Sequence, residues 1–178
     1  SGLVVLVVGG LHLYFYTFRK QGARRKFDER DLIRNSRKFL GRNQVWDNMF
    51  WTLASGVTIW TAYEVVFMWA FANGIIPTMD WTAHPIWFAL WFLLLSIWQS
   101  MHFYWTHRLL HWKPLYKAVH YLHHRNVNVG PWSGISMHPV EHVLYFSSVL
   151  VHWVLLSHPI HVLYHMQFLT LEAVAAHT

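Results

Sequence analysis

Five histidines fall within eighteen residues, as His107-Arg-Leu-Leu-His111 and then His120-Tyr-Leu-His123-His124. On a helix, the four-residue step from His107 to His111 returns to within ~40° of the same face. The three- and four-residue steps from His120 to His123 and His124 do the same. Each group therefore presents its imidazoles as a converging set, which a metal ion needs and a lipid-facing helix does not. Neutral imidazole is a good ligand for zinc, copper, iron and nickel. So many donors at this spacing suggest more than one ion. A lone histidine would read as a satisfied interfacial residue, but five in two phased groups read as ligands.

The elements that must position these side chains are apolar. Hydrophobic residues make up 54% of the 178 positions and charged residues 12%, against about 25% charged in an ordinary soluble domain. The 12 Trp, 12 Phe and 8 Tyr suit interfacial aromatic belts better than a soluble core. Cysteine is absent, which excludes disulfides, Cys-ligated zinc, iron–sulfur clusters and thiol catalysis. The net charge of +6 suggests nucleic acid until its positions are read. Ten of the fourteen Lys and Arg lie between Arg19 and Arg42, among only three acids, Asp28, Glu29 and Asp31. That is a juxtamembrane basic segment, explained by topology and anionic headgroups rather than by nucleic acid.

The hydropathy pattern predicts an all-α integral membrane protein with about four to five transmembrane or re-entrant helices. Residues 1–48 read as an N-terminal membrane helix (Gly2 to Phe18) followed by the basic segment. Apolar residues spaced through 19–47 (Phe27, Leu32, Ile33, Phe39, Leu40) predict a surface-lying amphipathic helix there. The sequence begins inside its first apolar run, so upstream residues are expected. Residues 49–178 read as one membrane-embedded domain. Met49 to Ala72 is broken only by Glu64, for which Tyr63 and Thr61 are the expected hydrogen-bond partners; a functional role is the alternative. A turn over 73–85 leads into an apolar segment from Pro85 that runs on into the first histidine group. Val143 to Ser157 and Ile160 to Ala176 are shorter, and a re-entrant hairpin would suit them.

Charge then sets the topology. The basic stretch 19–42 marks the cytoplasmic side under the positive-inside rule. Counting crossings from there returns residues 101–142, and then His177, to that same face. The metal site is therefore expected to face the cytoplasm, in a bacterial inner membrane or the endoplasmic reticulum.

Only eight carboxylates occur in the chain, and no Glu-x-x-His pair, so this is not a ferritin-like carboxylate di-iron site. His-Glu-x-x-His and Gly-x-Ser-x-Gly are absent as well, which removes the zincin and serine-hydrolase readings. A nitrogen-rich site at a membrane surface suits redox-active iron with access to apolar substrates, although imidazole alone admits zinc.

The two boxes, followed by Ser136-Met-His138-Pro139-Val-Glu141, resemble the fatty acid hydroxylase superfamily. Its sterol desaturase and sterol C4-methyl oxidase branch is the nearest within it. Glu172-Ala-Val-Ala-Ala-His177 is similar to that family's E-x-x-x-x-H stretch. The likeness covers roughly residues 45–178. It implies an O2-dependent oxidase with two iron ions, or zinc as purified, acting on lipid C–H bonds. Electrons would come from a partner such as cytochrome b5 or a ferredoxin. Carried over, it makes His107, His111, His120, His123, His124 and His177 metal ligands, with His138 and Glu141 in support. His138 and Glu141 could instead only cap the helix that Pro139 begins. The family's further H-x-x-H-H box is not reached before Thr178, so the rest of the site is expected beyond it.

Other histidines read as structural. His102 faces away from His107. His142, His152, His161 and His165 suit buried hydrogen-bonded positions or, for the last three, a lipid tunnel. Asn128 and Trp132, in the Gly130-Pro131 loop beside the second box, are candidates for substrate contact. Two other function classes remain. One is a histidine-rich membrane metal-binding or transport protein without oxidase activity. The other is a haem carrier using His152 and His165 as axial ligands.

Overall fold

The computed structural model describes residues 2–22 and 30–177, and among them it is helical with no strand. Helix α1 (Gly2–Thr17) is apolar but short. Helix α2 (Gln44–Ala72, 29 residues) and helix α3 (Pro85–Leu110, 26 residues) are both long and apolar enough to cross a membrane. At 1.5 Å per residue, α3 extends ~39 Å, against a hydrocarbon thickness of ~30 Å. A short helix α4 covers 113–124. Helix α5 (Pro139–Phe146) continues as a 3-10 turn through Trp153. Helix α6 spans Pro159–Ala175.

Helix α3 shows how the sequence divides its surfaces. Trp91, Leu95 and Gln99, four residues apart, are buried against the rest of the bundle. Ile86, Leu90, Leu93, Ile97 and Met101 form an exposed stripe on another face. An apolar stripe of that length is unusual on a soluble monomer and suits contact with lipid. The core proper lies between α1, α2, α5 and α6, around Trp60, Phe67, Phe146, Val162, Met166 and Leu169.

Three helices begin with the same local device. Pro85, Pro139 and Pro159 each occupy the first helical position, where the missing N–H is no loss. The residue before each is histidine. At α5 and α6 that histidine's Nδ1 accepts the N–H two residues on, from Val140 to His138 and from Ile160 to His158.

The amphipathic helix expected across 19–47 does not form in the described part of that segment. Residues 30–39 carry no helix, and only a single 3-10 turn, Leu40–Arg42, precedes α2. Gly41 and Arg42 both hold positive φ, a conformation that ends helical propagation. The backbone of Ile33 pairs with Gln44 instead: Ile33 N–H donates to Gln44 Oε1, and Gln44 N–H donates to Ile33 O. Residues 23–29, including Phe27, lie outside the described residues. Glu64 also differs from expectation. Thr61 and Tyr63 donate to the carbonyls of Val57 and Val143 rather than to its carboxylate.

Candidate metal centre

The C-terminal end of α3 carries His107, and His111 closes that helix. Trp112 is extended, which reverses the chain so that α4 brings His120 and His124 back against the same pair. His107 Nε2 and His111 Nε2 lie 3.0 Å apart, and His120 Nε2 and His124 Nε2 lie 2.9 Å apart. One ligating atom from each of the four falls within 4.8 Å of every other. Two nitrogens bound at ~2.1 Å to one ion and about 90° apart would be separated by ~3.0 Å, so the donor set fits a metal.

The site's electrostatics agree. Burial holds His120 and His124 down at about 4, and His123 at about 3. All three are therefore neutral imidazoles near pH 7, the form that binds metal. His120 is fully buried, and its Nδ1 lies 2.8 Å from Glu141 Oε1. Burial pushes the Glu141 carboxyl up to about 8, and its Oε2 is buried without a partner. A cation on His120 Nε2 would offset that cost and favour the carboxylate, which then orients the ring through Nδ1–H.

His123 and His177 form a second group next to the first. Their ring centroids are 5.3 Å apart, and His123 lies 5.9 Å from His120. His123 Nδ1 faces the Ser136 carbonyl at 3.3 Å, and His177 Nδ1 faces the Ala173 carbonyl at 2.8 Å. A carbonyl can only accept, so each Nδ1 carries the proton and each Nε2 keeps its lone pair. The structure thus brings four of the six imidazoles into one set and places the other two beside it. All three of His107, His123 and His177 reach a cavity of about 140 Å³, whose other walls include Phe103, Leu110, Met137 and Tyr145.

Other sequence expectations divide. Glu141 reaches a histidine of the cluster, while His138 caps α5. Asn128 bridges instead of facing the cavity: its Nδ2 donates to Asp31 O, and its carbonyl accepts from Gln44 Nε2. Trp132 is buried, its carbonyl accepts from Thr52, and neither residue lines the cavity. His142 is buried between Ser55 Oγ and the Ile135 carbonyl. His102 contacts Ser147. His152 Nε2 and His165 Nδ1 are 3.2 Å apart in a buried network with Ser157, Ser148 and Gln99. In this arrangement the two rings contact each other directly, with no space for a porphyrin between them. His161 donates to the Phe88 carbonyl, and all three rings serve packing.

Sequence reading missed the parts that hold the boxes in place. Gln44 Nε2 donates to Asn126 Oδ1 and Asn128 O, and Asn126 Nδ2 donates to the His123 carbonyl. Asp47, fully buried, pairs with Arg125 immediately after the second box. Asn126 beside the box was the one visible signal; nothing near Gln44 or Asp47 marks them. Gly134 was missed as well. A Cβ there would lie 2.6 Å from the Ala173 carbonyl oxygen and 3.0 Å from Val174 Cα, and backbone cannot yield as a side chain can. Gly134→Ala is expected to push the end of α6 off the loop, separate His177 from His123 and destabilise by ~1–3 kcal/mol. Thermal unfolding and metal stoichiometry of the variant check this.

The sequence model of the fatty acid hydroxylase family matches residues 91–178. That stretch, just under half of the chain, is similar to the fatty acid hydroxylases. The Delta(7)-sterol 5(6)-desaturase ERG3B of Gibberella zeae is 38% identical over 66 residues, 37% of this chain. The aligned part is 20% of the relative's length, so the chain spans about a fifth of it. No solved structure matches. Every candidate ligand, together with Glu141 and Gly134, lies inside the segment that matches the fatty acid hydroxylase model. Gln44 and Asp47 lie outside it and support it from α2.

Proposed function

We propose that this protein is an integral-membrane, O2-dependent di-iron oxidase that hydroxylates or desaturates a lipid, of sterol or fatty-acyl type. The observation that carries this reading is the convergence of four imidazole nitrogens beside a cavity whose walls are mainly apolar, with Glu141 and Glu172 among them. His107, His111, His120 and His124 would hold one ion. His123 and His177 would supply donors to a second. Bound iron would supply the redox chemistry that lets dioxygen attack a C–H bond. Zinc would fill the same imidazoles without that chemistry. In the hydroxylation, one oxygen atom enters the C–H bond, and two electrons and two protons from a donor carry the other to water.

The chain's own residues have definite tasks in this reading. Glu141 holds the His120 ring in one tautomer and orientation. Phe103, Leu110, Met137 and Tyr145 would hold the substrate's reacting carbon and keep water from it. No Asp or Glu occurs between residues 81 and 140, where Arg108, Lys113, Lys117 and Arg125 lie. Arg125 is used by Asp47; the other three would give an acidic electron donor, such as cytochrome b5 or a ferredoxin, a complementary surface on the cytoplasmic face.

The test is metal analysis of the purified full-length protein, paired with lipid profiling of cells with and without the gene. About two iron ions per chain, no Soret band and the loss of one oxidised lipid are expected. Protein free of transition metal, or an unchanged lipid profile, would sink the proposal. Metal uptake into proteoliposomes without lipid oxidation would favour a transporter instead.

A further inference from the structure

Apart from the cavity beside the histidine cluster, two adjoining grooves of about 530 and 590 Å³ lie between the end of α1 and the segment leading into α2. His12, Thr17, Arg34 and Val45 line both, and no residue of either lines the cavity beside the histidines. The combined groove is divided by polarity. One end carries Arg19, Asp31 and Arg34 with Tyr16; the other carries Leu13, Trp46, Met49 and Trp132. Arg19 pairs with Asp31 at 3.4 Å, whereas Arg34 makes no side-chain hydrogen bond or ion pair among the described residues. On the shared wall, His12 Nδ1 is buried without a partner. The walls are held in advance by Tyr16 donating to Val129 O and Asn128 donating to Asp31 O.

We propose that this groove is a binding site for an anionic phospholipid, its phosphate at Arg34 and its chains over Leu13, Trp46 and Met49. The placement of charge supports this occupant. Helix α1 is apolar until Arg19 and Lys20, so the cationic end sits where apolar helix surface gives way to charge, the level of a headgroup. A guanidinium matches a phosphate's paired oxygens, and His12 Nδ1 offers a further polar contact to the headgroup or ester region. A free anion would leave the apolar half of the groove unused, including Trp46, which is 66% exposed. The Asp31 carboxylate at the same end disfavours excess negative charge, and its pairing with Arg19 leaves Arg34, among the described residues that line the groove, as the cation for one phosphate.

The experiment is native mass spectrometry of the full-length protein in delipidated micelles, titrated with dioleoylphosphatidylglycerol, dioleoylphosphatidylcholine or inorganic phosphate. Saturable binding of one phosphatidylglycerol is expected, with Arg34→Gln weakening it about five- to tenfold and Arg34→Lys retaining most of it. Arg34 is exposed, so both variants should fold, and their melting temperatures verify that. Equal affinity for phosphatidylcholine, no effect of Arg34→Gln, or displacement by equimolar inorganic phosphate would each overturn the site. None of these readings depends on oxidase activity.

Discussion

His120→Ala should abolish metal binding at the four-imidazole set and with it the proposed lipid oxidation. His120 is the most buried of the four, and it connects the cluster to Glu141. Its removal takes away one candidate ligand and leaves both Glu141 carboxyl oxygens without partners, since Oε2 already has none. A residue that only orients a ligand costs ~10–100-fold in metal affinity when lost, so losing the ligand itself should exceed ~100-fold. Glu141→Gln provides the comparison. It keeps the shape and an acceptor for Nδ1–H while removing the charge, and should fall within that 10–100-fold range. His102→Ala, whose ring contacts Ser147, should keep its metal. Metal stoichiometry by emission spectrometry, with activity measured in parallel, distinguishes the three. Wild-type metal content in His120→Ala would mean that the cluster is not the site.

Asp47→Ala should be the most destabilising change away from the histidines. Asp47 is fully buried, accepts the Leu40 N–H through Oδ1 at 3.0 Å and pairs with Arg125 through Oδ2. The Arg125 side chain is 16% exposed, its Nε is buried without a partner, and its guanidinium lies 5.3 Å from the Phe39 ring centroid. Removing one partner of a buried pair typically costs 3–5 kcal/mol, because the remaining charge is stranded. Partial exposure of Arg125 puts the expected loss near ~3 kcal/mol, about 6–12 °C in melting temperature for a chain of this size. Asp47→Ala combined with Arg125→Met should recover much of the loss, since no charge is then left without a partner. A melting temperature unchanged in the single variant would show that Arg125 finds water. Because Arg125 follows His124 directly, the single variant should also loosen the second box and lower metal occupancy.

These outcomes separate what was legible in the chain from what was not. The convergence of His107 with His111, and of His120 with His124, follows from helical phase within one or two turns. The two long apolar helices were legible for a similar reason, since hydropathy over some twenty residues needs no knowledge of partners. The amphipathic helix expected over 19–47 is not formed at the described residues 30–39. Leu32 packs on Gly130 instead, and the backbone of Ile33 is taken by Gln44. Glu141 and His138 share one short motif, and nothing in the order of residues says which of them reaches a ligand. The turn into α5 decides it, directing His138 to the Val140 amide and Glu141 to His120.

By itself, then, the sequence determined the identity and local phasing of the imidazoles, the absence of thiol and carboxylate alternatives, and the apolar helices that carry the site. Those properties arise from composition and from a 3.6-residue period, both of which act over short stretches of chain. Tertiary structure alone decided that the two boxes face each other and that His177 meets His123 because Gly134 lets α6 approach. It also decided that Asp47 and Gln44, about eighty residues earlier, hold the second box. Those pairings depend on docking between distant segments, where one close backbone approach or one buried charge pair selects the partner and no local pattern records it.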